Sequence, residues 1–399
     1  KNFSMALGDW CREHSVLYTG HVIEDDNIHT KTGAGAGHYF RAMSGEDIPG
    51  VDVVLSEVIP GMADYPVLGE VCYRLCDNKF FHYTLAKLAS SDAHIRPETK
   101  GRAMCEIFGA YGWAEGVKMM KWLTDFMLVR GINHFVPHAF SMRFPDEDCP
   151  PHFYARGNNP QFKAFGVLMQ YMNRMSHILT EARHIARAAV LYQAEAEWSG
   201  AKFDYSESVG KVLYDNQMDY DIVPIDALKD AKLKINRAEY DCFIVPHSTV
   251  LPIRLIKRLY ELSQSGVNVV YADAYPEHSS EGVSINEYIQ DSENLSVVKT
   301  ENIAEYMKSN GFVDVLCEEK TDVNRFLRVF HGERNGNDIY MLSNENETRE
   351  IDAPIRFKNF GGGDYIIYDA MANSAKRGCS ADSTIKIKLS PYSSVVIIT

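Results

Sequence analysis

Glu106 sits where a short apolar run, Ala103-Met104-Cys105, gives way to a loop holding Gly109, Tyr111, Gly112 and Trp113. A strongly amphipathic helical pattern comes next, and then a second apolar run, INHFVPHAF. This is a βαβ pattern with a carboxylate at the end of its first strand, the position from which parallel barrels build their active sites. Upstream, SVLYTGHVIEDDN ends in Glu24 in the same way. Cutting a glycosidic bond requires one carboxylic acid to protonate the leaving oxygen and a second carboxylate to attack the sugar or activate water. Glu24 and Glu106 are the candidate pair. The alternative for either is a surface residue opening a loop, and Asp25 and Asp26 follow Glu24 closely enough to substitute for it. Cys105, Ile107 and Phe108 around Glu106 are apolar, so its carboxyl is expected to be half-buried and to need a partner or a purpose.

Other groups join this pair. His138 closes the run VPHAF, His94 follows ASSDA, and His21 precedes Glu24 by three residues, so along a strand it points to the opposite face. Each imidazole can bond a sugar hydroxyl from a strand end or serve as a structural partner. Tyr111 and Trp113 can form a wall on which a sugar stacks, or pack on the following helix. With Asp25 these make the expected substrate-binding set: His138, His21, His94, Tyr111, Trp113 and Asp25. Asp146-Glu147-Asp148 and Asp25-Asp26 can hold a hard cation or line solvated loops, and neither has EF-hand spacing. Cys72 and Cys76 lie one helical turn apart, as half of a metal site or as two small apolar residues on one face. The residues themselves read out no metal-ligand set and no cofactor. HExxH, GxSxG, P-loop and GxGxxG patterns are missing from any fitting context, which leaves a serine hydrolase or a dehydrogenase without motif support.

The 399 residues are enough for two or three domains, and 45% of them are apolar. The formal net charge of −13 argues against nucleic acid or an anionic membrane as the main partner and fits a neutral substrate. Eight scattered cysteines lean towards a reducing, cytoplasmic setting. No apolar run is long enough for a membrane span. The start, Lys-Asn-Phe-Ser, reads as a processed or excised end.

The pattern predicts an α/β chain in three parts. Residues 1–188 read as a (β/α) TIM-type barrel, partial or complete, with strands at Ser15–Ile23, Asp52–Leu55, Leu85–Ala89, Arg102–Cys105 and Ile132–Pro137. Helices are expected at Ala63–Lys79 and Ala114–Val129, the second closed by Gly131. A long helix is expected from Asn158 to about Ala189, and a strand at Leu191–Glu195. Residues 189–320 read as a flavodoxin-like domain, with YDCFIVPHSTVL and GVNVVYADAY as buried strands flanking a helix from Ile253 to Ser265. Residues 321–399 read as a small antiparallel β-domain, in which Gly361-Gly362-Gly363 is a turn. With two strands between them, Glu24 and Glu106 would close the fourth and seventh strands of a barrel.

GHVIEDD, the strand IPGVDVV, ASSDAH, MCEIFGAYGW and RGINHFVPHAF resemble the barrel of bacterial glycoside hydrolases of family 106, the α-L-rhamnosidase type, of clan-A-like architecture. HILTEARHIARAAVLYQAEAEW resembles the segment where such barrels hand over to an α/β domain, an order shared with the family 42 β-galactosidases. The resemblance covers residues 1–345. It implies that Glu24 is the acid and Glu106 the second carboxylate, with calcium as a companion ion whose ligands it does not match to residues here. A complete barrel has eight strands and this chain has room for about five, so the first strands are expected to come from a missing N-terminal part or a second copy. The implied function is hydrolysis of an oligosaccharide or glycoside, α-L-rhamnosides included. The alternative is a non-catalytic carbohydrate-binding or assembly protein derived from such a barrel.

Overall fold

The structure, a computed structural model, describes all residues except 1–2, 23–34, 65, 69–74, 148, 230–232, 291 and 320, and describes no side chains for 66–68 and 75–77. Four parallel strands form the first sheet, in the order β1 (Thr19–Gly20), β2 (Ile48–Val54), β3 (Met104–Gly109) and β4 (His134–Pro137). Among the described residues that is half the number in a closed barrel. Val51, Val53, Cys105 and Ile107 face the covering helices and are fully buried. The register pairs Asp52 with Glu106 and Glu106 with Val136. Those three therefore share the other, concave face, on which Val136 remains 48% exposed. Gly50 is required there, because a Cβ would meet the carbonyl oxygen of Gly20 at 2.2 Å.

Helix α1 (Ser4–Glu13) precedes the sheet, α2 (Ala86–Ile95) packs on β2, and α3 (Val117–Leu128) connects β3 to β4. Gly131 does follow α3 with φ +96°, and its bare Cα lets Ser90 of α2 approach closely. Two expectations for this region fail. Leu85–Ala89 is not a strand: a π-helical turn, Phe80–Leu85, runs directly into α2. Every residue of α2 is buried, and periodicity cannot separate an all-buried helix from a buried strand. As a result, among the described residues, β2 alone lies between β1 and β3 in this sheet, where the fourth-and-seventh-strand assignment of Glu24 and Glu106 needs two strands. Ala63–Lys79 is not a helix, for it contains an antiparallel pair, Pro66–Leu68 with Leu75–Asp77. Cys72 and the side chain of Cys76 lie outside the described residues.

The long helix α4 (Phe162–Leu179) ends earlier than expected, where Thr180 turns extended and Glu181 takes φ +69°. The strand expected at Leu191–Glu195 begins and ends sooner, as β5 (Ala188–Leu191), and Ala194–Trp198 is a short helix. β5, β6 (Tyr220–Val223), β7 (Cys242–Val245), β8 (Asn268–Ala272) and β9 (Leu295–Val298) make a parallel sheet in the order β9-β8-β7-β5-β6. Relabelled by sequence this is 2-1-3-4-5, an order of doubly wound sheets. Helices α5 (Ser206–Tyr214) and α6 (Ile253–Gln264) flank it. The C-terminal strands are antiparallel and fall into a six-stranded and a three-stranded sheet. The six-stranded sheet recruits Arg183–His184 from the end of the barrel segment. Among the described residues, no helix is long and apolar enough to cross a membrane.

One buried charge ties these layers together. Asp221 on β6 is fully buried. It takes hydrogen bonds from Tyr240 at 2.9 Å and Ser91 at 3.2 Å, and lies 2.9 Å from His94 Nδ1 and 3.2 Å from His184 Nδ1. Lys87 reaches Asp219 at 3.1 Å and Asp221 at 3.6 Å, and His184 Nε2 lies 2.7 Å from Asp219. Burial pushes His94 down to about 4 and so keeps it neutral. The same burial opposes charge on His184, but Asp221 and Asp219 carry it up to about 9. Asp221→Ala leaves Asp219 as the one carboxylate facing a buried ammonium and imidazolium, and strips His94, Ser91 and Tyr240 of their shared acceptor. It should destabilise the protein by about 3–5 kcal/mol in urea unfolding. A loss below about 1 kcal/mol would mean that the network is solvated and carries little.

Candidate active site

Glu106 projects from the middle of β3 onto the concave face, with its side chain 30% exposed. His138, the residue after β4, places Nδ1 2.9 Å from Oε1 of Glu106. His21, the residue after β1, places Nε2 3.4 Å from Oε2. One carboxylate is thus flanked by imidazoles that arrive from the carboxyl ends of two other strands, one hydrogen-bonded and one 3.4 Å away. Asp52, its registered neighbour on β2, sits half-buried beside it. Sequence reasoning passed over Asp52. The signal was present in IPGVDVV, where one acid interrupts an otherwise apolar strand on the concave side of the alternation.

The backbone at the end of β3 is strained. Register slips between Val53 and Val54 opposite Ile107 and Gly109, which leaves Phe108 as the extra residue of a bulge. Phe108 takes φ +79° and Ala110 φ +57°. Phe108 is fully buried and meets Phe153 edge-on at 5.9 Å, so packing holds it in this unfavourable conformation. Beyond the bulge, Gly112 N–H donates to Pro150 and Phe153 N–H donates to Ala139, which knits the loops after β3 and β4 together.

The remaining expected site residues separate. Trp113 is 51% exposed and packs beside His152, with ring centroids 5.5 Å apart, and Phe144. Phe140, also exposed, stacks on Tyr154. Both Phe140 and Phe144 lie in the loop after β4, which the sequence reading did not mark. Tyr111 is not a stacking wall. It is buried, and its hydroxyl donates to the carbonyl of Val58 at 2.8 Å, tying the loops after β2 and β3. His94 is not at a strand end. It lies in the last turn of α2, buried against Asp221, because the run before it is helix. Glu24, Asp25 and Asp26 lie outside the described residues, as does Asp148.

Among the described residues the one cluster with metal-ligating groups in reach of each other is His94, His184 and Asp221. It does not fit calcium, which takes six to eight oxygen ligands. It offers two imidazoles and one carboxylate, and a lysine ammonium already approaches that carboxylate. Asp146 accepts a hydrogen bond from Ser141 and pairs with Arg143 at 3.6 Å.

A family model for glycoside hydrolase family 106, described as alpha-L-rhamnosidase, matches residues 76–361, well over half of the chain. The rhamnosidase from Novosphingobium sp. PP1Y has a similar structure, with a TM-score of 0.72 at 15% identity over 98% of this chain and 38% of its own. A β-galactosidase from Bacillus circulans sp. alkalophilus gives a TM-score of 0.63 at 10% identity, over 99% of this chain and 65% of its own. At these identities the likeness is one of fold. This chain therefore spans well under half the length of the first and just under two thirds of the second. No curated protein matches its sequence.

Glu115, two residues after Trp113, is 4% exposed, and neither carboxyl oxygen has a hydrogen-bond partner among the described residues. Burial pushes its carboxyl up to about 8. The folded state then binds a proton that the unfolded chain releases above its ordinary range. Glu115 should therefore make stability fall by about 1.4 kcal/mol per pH unit between roughly pH 4.5 and 8, and no further above that. Glu115→Gln removes this slope, so its advantage over the parent should grow from about pH 5 to about pH 8 in urea titrations. Parallel stability curves for the two proteins would mean that the carboxyl finds water or a counter-charge.

Proposed function

We propose that this chain, which belongs to glycoside hydrolase family 106, supplies the second carboxylate of a glycosidase site through Glu106, with α-L-rhamnosides as the favoured substrates. The observation that carries the reading is the placement of Glu106 between His21 and His138 on the concave face. The His138 hydrogen bond orients one oxygen of the carboxylate, and His21 approaches the other at 3.4 Å. So positioned, Glu106 can attack the anomeric carbon or take a proton from an attacking water. The acid is assigned to Glu24, with Asp25 beside it as a hydroxyl partner, on the family resemblance of GHVIEDD. Trp113 presents an exposed ring in the loop after β3 as a face for the sugar. The rest of the barrel wall would come from beyond these four strands, from another part of the protein or from a second copy. Without it the site is open to water and poorly shaped.

The rhamnoside preference is drawn from the family description and the Novosphingobium relative. Turnover of a panel of aryl glycosides, rhamnosides included, tests both substrate and residues. Glu106→Gln keeps the shape and removes the charge, and should lower kcat by about 10²–10⁴-fold. Wild-type turnover in this variant would remove Glu106 from the chemistry. Glu24→Gln should cost less on substrates with an activated nitrophenolate leaving group than on alkyl glycosides, because the former needs little protonation. Equal losses on both would assign Glu24 a role other than acid.

A further inference from the structure

A cavity of about 420 Å³ lies where the loop after β2, the π-helical turn, α3, α5 and the C-terminal strands meet, and neither Glu106 nor His138 lines it. Its volume falls within the range of about 300–1,000 Å³ usual for small-molecule sites. Its walls carry many charges, and most of these are paired with one another. Lys211 lies 2.6 Å from Asp64 and 3.2 Å from Asp215. Glu345 takes Arg130 at 2.6 Å and Arg328 at 3.0 Å, and His82 lies 2.7 Å from Asp64. Four lysine and arginine side chains face four carboxylates around the lining. A charged guest would have to compete with the Lys211, Arg130 and Arg328 pairs, whereas a neutral one finds a pre-organised rim of donors and acceptors.

One neutral donor in this wall lacks a partner among the described residues. Trp122 on α3 is 5% exposed, and its indole N–H meets no acceptor among the described residues. Almost all buried donors in folded proteins are bonded, so this one marks a place where a guest's oxygen belongs. Tyr83, Phe126 and Phe326 add aromatic surface beside it. Aromatic faces, an unengaged indole donor and neutralised polar rims together suit the C–H and hydroxyl surface of a sugar.

We propose that this cavity is a second binding site, separate from the Glu106 site, for a neutral mono- or disaccharide. The sugar class rests on the glycosidase reading; the neutrality and the Trp122 contact rest on the cavity itself. Such a site would hold a product or a remote unit of a longer substrate without cleaving it.

The test is calorimetric titration of the full protein carrying Glu106→Gln with L-rhamnose, methyl α-L-rhamnoside, a neutral disaccharide, and a sugar phosphate as the charged control. Saturable binding of a neutral sugar is expected. Trp122→Phe keeps the ring and removes the donor, and should weaken that binding about ten-fold. Thr348→Arg, at an exposed position on the rim, should abolish it without touching the packed wall, and serves if Trp122→Phe folds poorly. Both substitutions should leave kcat on small aryl glycosides unchanged in the otherwise unaltered protein. Binding indifferent to both variants would place the sugar elsewhere and overturn the proposal. Preference for the sugar phosphate would overturn it too, as would no neutral-sugar binding at all. If turnover of aryl glycosides persists through such a failure, the second site alone is refuted. If turnover is also missing, the glycosidase reading falls with it.

Discussion

Everything in this molecule hangs from the charge buried at Asp221. A carboxylate in the middle of a parallel sheet is tolerated only if its surroundings supply the hydrogen bonds and counter-charge that water would have given. Those partners come from three places in the chain: Lys87, Ser91 and His94 on a barrel helix, His184 on a strand that joins the C-terminal sheet, and Tyr240 just before β7. The first sheet, the doubly wound sheet and the antiparallel sheet are therefore fixed to one another by electrostatic need as well as by apolar contact. A second junction has the same logic: His331 lies between Asp314 and Asp338, and Asp314 also meets Arg187 at 3.5 Å.

That rigidity is what allows the other end of the barrel segment to be strained. Phe108 and Ala110 hold left-handed backbone immediately after Glu106, and Glu115 keeps an unpartnered carboxyl under the same loop. Each feature costs stability locally. Each is also confined to the loops that carry the aromatic residues and the imidazoles around Glu106. Rigid helices fix the strand, and the distorted loop aims the aromatic side chains beyond it.

The four-stranded sheet explains the uneven surface of the concave side. In a closed barrel this face is filled by layers of side chains from strands opposite. Here Val136 is exposed, and Glu106 is accessible from a direction that closure would cover. The glutamate is oriented by its own neighbours, but the shape of the space in front of it is not theirs to define.

Much was legible in the chain because it depends on local spacing. The βα alternation, the carboxylate closing the run AMCE, the amphipathic stripe of α3, the buried strands around Cys242 and Asn268 and most of the short C-terminal strands come from side-chain period and turn residues. The C-terminal strand Ser374–Ser380 escaped because it is largely exposed on both faces and so shows no alternation. Pattern alone also marked Glu106 and His138, each at the end of an apolar run. It could not place FFHYTLAKLA, since a helix buried on every side has no polar face to betray its period. It could not tell that His94 serves Asp221, more than a hundred residues away in sequence, or that Tyr111 is a tie between loops. Nor could it find the meeting of His21 and His138 on one carboxylate. Residue type and spacing decide which elements form, through short-range geometry. Which side chains share a site is decided by the register of non-adjacent strands, and that exists only once the sheet has assembled.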